Sequence, residues 1–397
     1  MAYDLRVAAS TKEVALRVRK YLEVTVIPLE KDAMSAPHGP TDEIRTHLQE
    51  AASQAGVFAP TAPIEYGGLG LDHRSSALVL EESGRSLLGP LGMNCAAPDE
   101  GNMAMLEKIA TPEQRRQYLD PLCRGLIRSS FAMTEPSPGA GADPELLNTQ
   151  AKQVGSDWII NGTKWFITGA DGANFSIVMA RTDVGATMFL VDDDNPGMRT
   201  ERRLDTMDRT FSGGHGVVVF DDCAVPAESV LGEIGQGFQY AQVRLAPARL
   251  THCMRWLGAS RRAHETAVRY AADRPMFGST LGDLGMAQQM IADNEIDIAA
   301  SRLLILDAAG ALDAGAPARK ETSVAKTFVA EATFRIVDRS LQLCGGSGTL
   351  ADLPIARIFD DLRPFRIYDG PSEVHRMSIA KRAIRQISAN LLPGDWV

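Results

Sequence analysis

Apolar residues recur at helical spacing from the start of the chain. Val14, Val18, Tyr21/Leu22 and Val26 fall on one face, behind Ser10 and Glu13, whose separation is that of a capping box. Ala36-Pro37-His38-Gly39-Pro40 breaks the pattern, and a second helix is predicted over 41–55. Thr111-Pro112-Glu113 predicts a further helix start, with Thr as cap and Pro in the first turn. Near Ser129 the texture changes. From there to about Gly235, short β-prone runs (158–162, 164–168, 175–180, 187–191, 217–220) alternate with Gly, Asn, Asp and Pro. Asn161-Gly162 between two such runs predicts a hairpin turn. Long helical stretches return over 236–272, 282–314, 318–343 and 372–391. Helix, then sheet, then helix predicts an α+β chain in three domains, 1–128, 129–235 and 236–397.

Composition narrows the class. With 397 residues, 45% hydrophobic and 23% charged, the chain is long enough for two or three globular domains and has no fibrous, disordered or membrane-spanning signature. A net charge of −9 disfavours nucleic acid as the main partner. Five scattered cysteines form no CxxC pair, and the N-terminus lacks an apolar signal region, so a reducing, cytoplasmic setting is expected. The ordinary catalytic templates are absent. No two of the seven histidines stand three or four apart, so no metal pair is expected, and lone ones such as His215 are expected to be structural. Gly345-Gly346-Ser347-Gly348 lacks nucleophile-elbow spacing, and the Gly-rich turn at 65–70 contains a GxG but no GxGxxG.

Six motifs in order carry a resemblance that runs over nearly the whole chain. They are Phe131-Ala132-Met133-Thr134-Glu135-Pro136 with Gly139 to Asp143; Asn161 to Thr168; Phe220 to Gly232; Arg274-Pro275-Met276-Phe277-Gly278; Gln342-Leu343-Cys344-Gly345-Gly346; and Tyr368-Asp369-Gly370-Pro371-Ser372-Glu373. Together they resemble the acyl-CoA dehydrogenase family. The segments at 93–103, 245–255 and 369–376 resemble the branch that animals fuse behind a kinase-like domain. The resemblance implies an N-terminal helical domain, a middle β-barrel or sandwich, and a C-terminal four-helix bundle.

It also implies FAD. Met133, Thr134, Ala142, Phe166, Ile167 and Thr168 are then expected around the flavin ring, with Phe166 as its flat apolar wall and Thr168 near N5. Arg274, Phe277, Gln342, Gly345, Gly346, Ser372 and Glu373 are expected toward the rest of the cofactor, some reaching a neighbouring subunit's flavin in a dimer or dimer of dimers. Cations, backbone N–H groups and a helix N-terminus are what a pyrophosphate needs. The implied reaction is α,β-dehydrogenation of an acyl-CoA, with electrons passing to an electron-transfer flavoprotein. Asp369 is the implied base, one methylene shorter than the family's usual Glu, while Ala248 stands where some relatives place theirs. Arg249 and Gly370 are the implied substrate-side contacts. The branch points to long-chain substrates. Several polar contacts common in the family are missing: Ala142 replaces a Ser, Gly285 a Gln (with Gln288 a turn further on) and Pro371 a Thr or Ser. Two alternatives remain open: a flavin oxidase on this fold, of acyl-CoA or nitroalkane type, and a catalytically silent flavoprotein.

Overall fold

The computed structural model describes residues 7–388. Its principal helices are α1 (Ala9–Tyr21), α2 (Asp42–Gln54), α3 (His73–Ser83), α4 (Asp99–Ile109), α5 (Gly237–Asp273), α6 (Gly285–Asp313), α7 (Arg319–Cys344), α8 (Ile355–Leu362) and α9 (Ser372–Ser388). Between α4 and α5 come β1 (Ser129–Ala132), β2 (Gln150–Val154), β3 (Asp157–Thr168), β4 (Phe175–Arg181), β5 (Ala186–Asp192), β6 (Met198–Leu204), β7 (His215–Val225) and β8 (Val230–Leu231). A two-stranded ribbon, β9 (Pro275–Met276) and β10 (Ser279–Thr280), follows α5. Among the described residues, no helix is long and apolar enough to cross a membrane.

Backbone contacts divide the chain into two units. One gathers the residues up to Val24, Asp72–Gly89 and the chain from Arg249 onward; the other holds Thr25–Leu71 and Pro90–Ala248. The N-terminal helices therefore part company. α1 and α3 belong with the C-terminal helices, and α2 and α4 belong with the sheet.

In the sheet unit the strands run in the order β6-β7-β3-β2-β4-β5-β8, and β1 pairs in parallel with β4. Period-2 alternation sorts β4 and β5 between two cores. Phe175, Ile177, Met179, Met188 and Leu190 join a cluster with Leu106, Tyr118, Leu119 and Leu122 from the helical segments. Val178, Ala180, Phe189 and Val191 face the other way, into a core the sheet makes with Ala132, Ala151, Trp158, Ile160, Val218 and Phe220. Burial on both faces explains why β4 and β5 read as largely apolar runs, interrupted only by the small polar residues Ser176 and Thr187 before their charged ends. β6, with Arg199, Arg202 and Arg203, is an exposed charged strand at the sheet edge, and its polarity hid it from the hydrophobic pattern.

The expected hairpin at Asn161-Gly162 is not one. β3 runs straight through these residues, and the chain turns earlier, at Gly155-Ser156, between the paired residues Val154 and Asp157. Asn161-Gly162 is instead an irregularity in the β3–β7 ladder. Asn161 Oδ1 accepts from the Asp222 backbone N–H at 2.8 Å and its amide donates to Asp222 Oδ1 at 3.1 Å. A Cβ at Gly162 would stand 2.5 Å from Thr149 Oγ1, so the glycine is there for close approach rather than for a turn.

The helix signals fared differently. The Thr41 hydroxyl accepts from the Ile44 N–H, and Thr111 and Gln114 form the full reciprocal box. Ser10 caps nothing: α1 starts at Ala9, with Ala8 as an N-cap that has no side-chain bond, which places Ser10 inside the helix. The 372–391 stretch begins as expected, but its predicted end lies outside the described residues. In the helical unit, α7 packs against α6, α8 and α9. α3 meets α5 backbone to backbone: a Cβ on Gly84 would lie 1.9 Å from the Arg255 carbonyl oxygen, and one on Gly258 1.9 Å from that of Glu81.

One buried ion pair ties two segments of the sheet unit together. Lys164 Nζ, fully buried on β3, donates to Glu135 Oε1 at 2.9 Å and to the Met133 carbonyl at 3.2 Å. Glu135 also accepts from the backbone N–H groups of Ala140, Asn148 and Thr149. Burial alone would raise the Glu135 carboxyl, but Lys164 and these donors hold it at about 2, while burial pushes Lys164 down to about 8 despite its partner. Both groups are charged at neutral pH. Removing one strands the other, which typically costs about 3–5 kcal/mol. Lys164→Met should therefore lower unfolding stability by about that much in urea at pH 7, and adding Glu135→Gln should recover part of it. A single-variant loss under ~1 kcal/mol would be too small for a stranded buried carboxylate.

Candidate active site

The Asp369 site is built within the helical unit. Asp369 and Gly370 are consecutive residues with left-handed backbone, φ +54 and +97. Such a conformation costs an L-residue about 1–2 kcal/mol, so something must hold it. Two buried or half-buried cations do. Arg249 Nε donates to the Asp369 carbonyl at 2.8 Å, and Lys326 Nζ donates to the Gly370 carbonyl at 2.8 Å. His375 Nε2 also faces the Asp369 carbonyl, at 3.2 Å, with its Nδ1 3.3 Å from Ser323 Oγ. Gly370 is required here, because a Cβ would meet His375 Nε2 at 2.8 Å.

The carboxylate itself stands beside α5. His252 Nε2 is 3.4 Å from Asp369 Oδ2. Arg255 lies 3.2 Å from His252 Nδ1, and a guanidinium can only donate, so Nδ1 accepts and the ring proton of the neutral imidazole sits on Nε2, toward Asp369. Tyr368 and Phe365 flank His252 at 4.9 and 6.0 Å between ring centroids, and Trp256 Nε1 donates to the Tyr368 hydroxyl at 2.6 Å. Burial pushes Lys326 down to about 8 and lowers Arg249 against the pull of Asp369. His375 falls to about 4, through burial first and then the neighbouring Arg249 and Lys326 charges.

Of the expected residues, Asp369, Gly370 and Arg249 thus meet at one place. Arg249 binds the backbone under the carboxylate. Ser372 is buried and Glu373 exposed in the first turn of α9. Arg274 and Phe277 are exposed, with Phe277 and Gly278 forming the β9–β10 loop at φ +51 and +83, the type I′ pattern. Phe277 is 91% exposed. Gln342, Gly345 and Gly346 are exposed where α7 ends, and a Cβ at either glycine would meet open space.

The remaining expected residues lie in the sheet unit. The β3–β7 ladder shifts register between Lys164 and Ile167, and the bulge puts Phe166 at φ +55 with 53% of its surface exposed, its ring 5.5 Å from that of Trp165. Ile167 points into the sheet core, so only its backbone is available to a ligand. Met133 is half-buried and Thr134 exposed. The Thr134 hydroxyl donates to the Trp165 carbonyl, and Trp165 N–H donates back to the Thr134 carbonyl at 2.9 Å. The Thr168 hydroxyl is 3.0 Å from His215 Nδ1, and Ala142 is exposed in its turn.

Three residues escaped the sequence reading, His252, Lys326 and His375, and His215 is among the lone histidines expected to be structural. Two left a signal. Arg249, His252 and Trp256 are spaced i, i+3, i+7 on α5, one helical face. Lys326 falls in the stripe of α7 that holds Thr322, Val329 and Thr333, a cation among buried positions. His375 generates a stability test. The unfolded chain takes up this proton near pH 6.5 and the folded chain only near 4. Stability is therefore intact above about pH 6.5 and falls on acidification, by about 3 kcal/mol once pH 4 is reached. His375→Gln, a neutral donor, should lose less stability than the parent between pH 7 and 4.5 in thermal melts; equal losses would show that His375 is not the linked group.

Residues 9–126, 130–223 and 235–384 match the N-terminal, middle and C-terminal domain families of acyl-CoA dehydrogenases. Acyl-CoA dehydrogenase family member 11 of Gallus gallus is 36% identical over 392 residues, covering 93% of this chain but 50% of the relative, so the chain spans about half the length of that protein. A Mycobacterium abscessus protein assigned as an acyl-CoA dehydrogenase is 35% identical with a TM-score of 0.89, over 96% of this chain and all of the other. A glutaryl-CoA dehydrogenase of Mycobacterium smegmatis, solved in complex with FADH2, is 25% identical with a TM-score of 0.86, over 95% of each chain. With all three domain families matched in order along one fold, the chain belongs to the acyl-CoA dehydrogenase family.

Proposed function

We propose that this chain oxidises the Cα–Cβ bond of an acyl-CoA to a trans-2-enoyl-CoA, with Asp369 as the base that removes the α-proton. The observation that carries this reading is the carboxylate of Asp369, held on left-handed backbone by Arg249, Lys326 and His375 and set beside the Nε2–H of His252. A general base must be fixed in place and ionised at working pH. Arg249 and Lys326 serve both needs. Their donors are aimed at carbonyls 369 and 370, which anchors the turn, and their charges favour the anion. Within the sheet unit, an exposed aromatic face at Phe166 and hydroxyls at Thr134 and Thr168 suit a flavin ring, and within the helical unit open glycines at 345 and 346 leave room for a phosphate. FAD, when bound, supplies the two-electron acceptor.

Met133, Thr134, Phe166, the Ile167 backbone and Thr168 would hold the ring. Exposure of Arg274, Phe277, Gln342, Gly345 and Gly346 supports their assignment to a cofactor shared with a second subunit, in a dimer or dimer of dimers. An electron-transfer flavoprotein is the proposed acceptor, fatty-acid or related acyl-CoA breakdown the proposed setting, and the cytoplasm the proposed compartment. Cys95, Cys123, Cys223, Cys253 and Cys344 are all buried. Asp369→Asn should leave the purified protein yellow and cut turnover by at least about 10³-fold, in the range of lost general-base catalysis. In an anaerobic titration, the parent's flavin should bleach with an acyl-CoA and the variant's should not. Bleaching by Asp369→Asn at the parent's rate would remove Asp369 as base, and rapid peroxide formation in air would move the chain to the oxidases.

A further inference from the structure

Behind Thr168 stands a hydrogen-bonded chain that the reaction above does not use. Thr168 Oγ1 lies 3.0 Å from His215 Nδ1, and His215 Nε2 lies 2.9 Å from Asp208 Oδ2. Both lengths are those of formed hydrogen bonds. Asp208 and His215 are buried, and the residues come from three segments of the sheet unit: the end of β3, the loop after β6 and the start of β7. The imidazole is confined by the Phe211 ring, edge-on at 5.4 Å, and by Phe166 at 6.4 Å.

The direction of each bond follows from the donor inventory. Burial would raise the Asp208 carboxyl, but the bonds from His215 and Thr206 and its own backbone hold it below the usual range, so it is ionised and only accepts. In the neutral imidazole the single ring proton then sits on Nε2, facing Asp208. Its Nδ1 presents a lone pair, and the Thr168 hydroxyl donates to it. With its one proton turned inward, Thr168 offers only oxygen lone pairs to whatever lies against the outer side of the hydroxyl.

We propose that Asp208 and His215 are positioning residues that lock Thr168 as a hydrogen-bond acceptor toward the flavin ring, so that this face favours the reduced, N–H-bearing ring over the oxidised one, whose corresponding nitrogen can only accept. The proposal rests on the flavin reading of Thr168. A hydroxyl free to rotate would serve either form; one held by His215 serves the reduced form alone. The pair thereby raises the tendency of bound FAD to take electrons, without touching the ring.

Midpoint potentials of the FAD-loaded protein, measured by dye equilibration at pH 7, test this. His215→Leu should shift the equilibrium about tenfold toward the oxidised form, ~30 mV for a two-electron couple. His215→Asn, whose amide oxygen can occupy the place of Nδ1, should recover most of the shift. Thr168→Val should reproduce the His215→Leu shift, and the double variant should move no further, because both act through one hydroxyl. An unmoved potential in either His215→Leu or Thr168→Val overturns the proposal while leaving the flavin reading intact, since the protein still binds and reduces FAD. A His215→Leu shift that persists undiminished in the Thr168→Val background overturns it too, by showing a general structural effect. A parent chain that binds no FAD overturns the flavin reading and this inference together.

Discussion

The arrangement around Asp369 depends on two cations bonded to two successive carbonyl groups. Arg249 and Lys326 grip the backbone at 369 and 370, where the chain takes a left-handed step that it would not hold unaided. A cation in a low-dielectric setting costs much to keep charged, and burial lowers the pKa of both. They remain useful because carbonyl oxygens and the nearby carboxylate offset part of that cost. Burial, reinforced by the same two charges, keeps His375 neutral, which lets it stand beside them as a third donor to the turn. The short arm of an aspartate makes this grip more important than it would be for a glutamate, because a shorter side chain has fewer torsions with which to correct a misplaced backbone.

The sheet unit uses the same physics with different residues. Lys164 bonds the Met133 carbonyl and the Glu135 carboxylate, stitching the segment after β1 to the middle of β3. Thr134 and Trp165 then bond each other, and the bulge just beyond throws Phe166 outward. In both units a buried charge fixes a backbone segment, and that segment presents an exposed or half-exposed group: Asp369 in one, Phe166 and Thr168 in the other. Such pairs are weak evidence for added stability but strong determinants of where the chain must lie, because a mispaired alternative would leave a bare charge in the interior.

Particular residues show what the sequence could and could not carry. Local signals that needed nothing beyond their own segment were readable: the Thr41 cap, the Thr111–Gln114 box and the doubly buried runs of β4 and β5. Signals that tertiary contact can outbid were misread. Asn161-Gly162 has turn chemistry, yet Asp222 across the ladder takes both groups of the Asn161 amide and Thr149 fills the space beside Gly162. Ser10 and Glu13 have cap spacing, yet the helix starts one residue before them. β6 carries too many arginines to resemble a strand until β7 is laid beside it.

For the candidate residues of each unit, the sequence alone determined the residue types and their order: an aspartate before a glycine at 369–370 and an arginine at 249 in one, an aromatic and a threonine near the end of β3 in the other. These are chemical identities, and motif order is enough to register them. Only the tertiary structure decided which groups serve them. Lys326 and His375 reach the 369–370 turn from α7 and α9, His252 from α5, and the His215–Asp208 pair approaches Thr168 from two other segments. A histidine's role is set by what accepts or donates at each of its nitrogens, and those partners lie along the chain anywhere from close by, like Arg255 and His252, to far away, like His252 and Asp369. No linear pattern encodes such a meeting; it exists only once the backbone has brought the groups within about 3 Å.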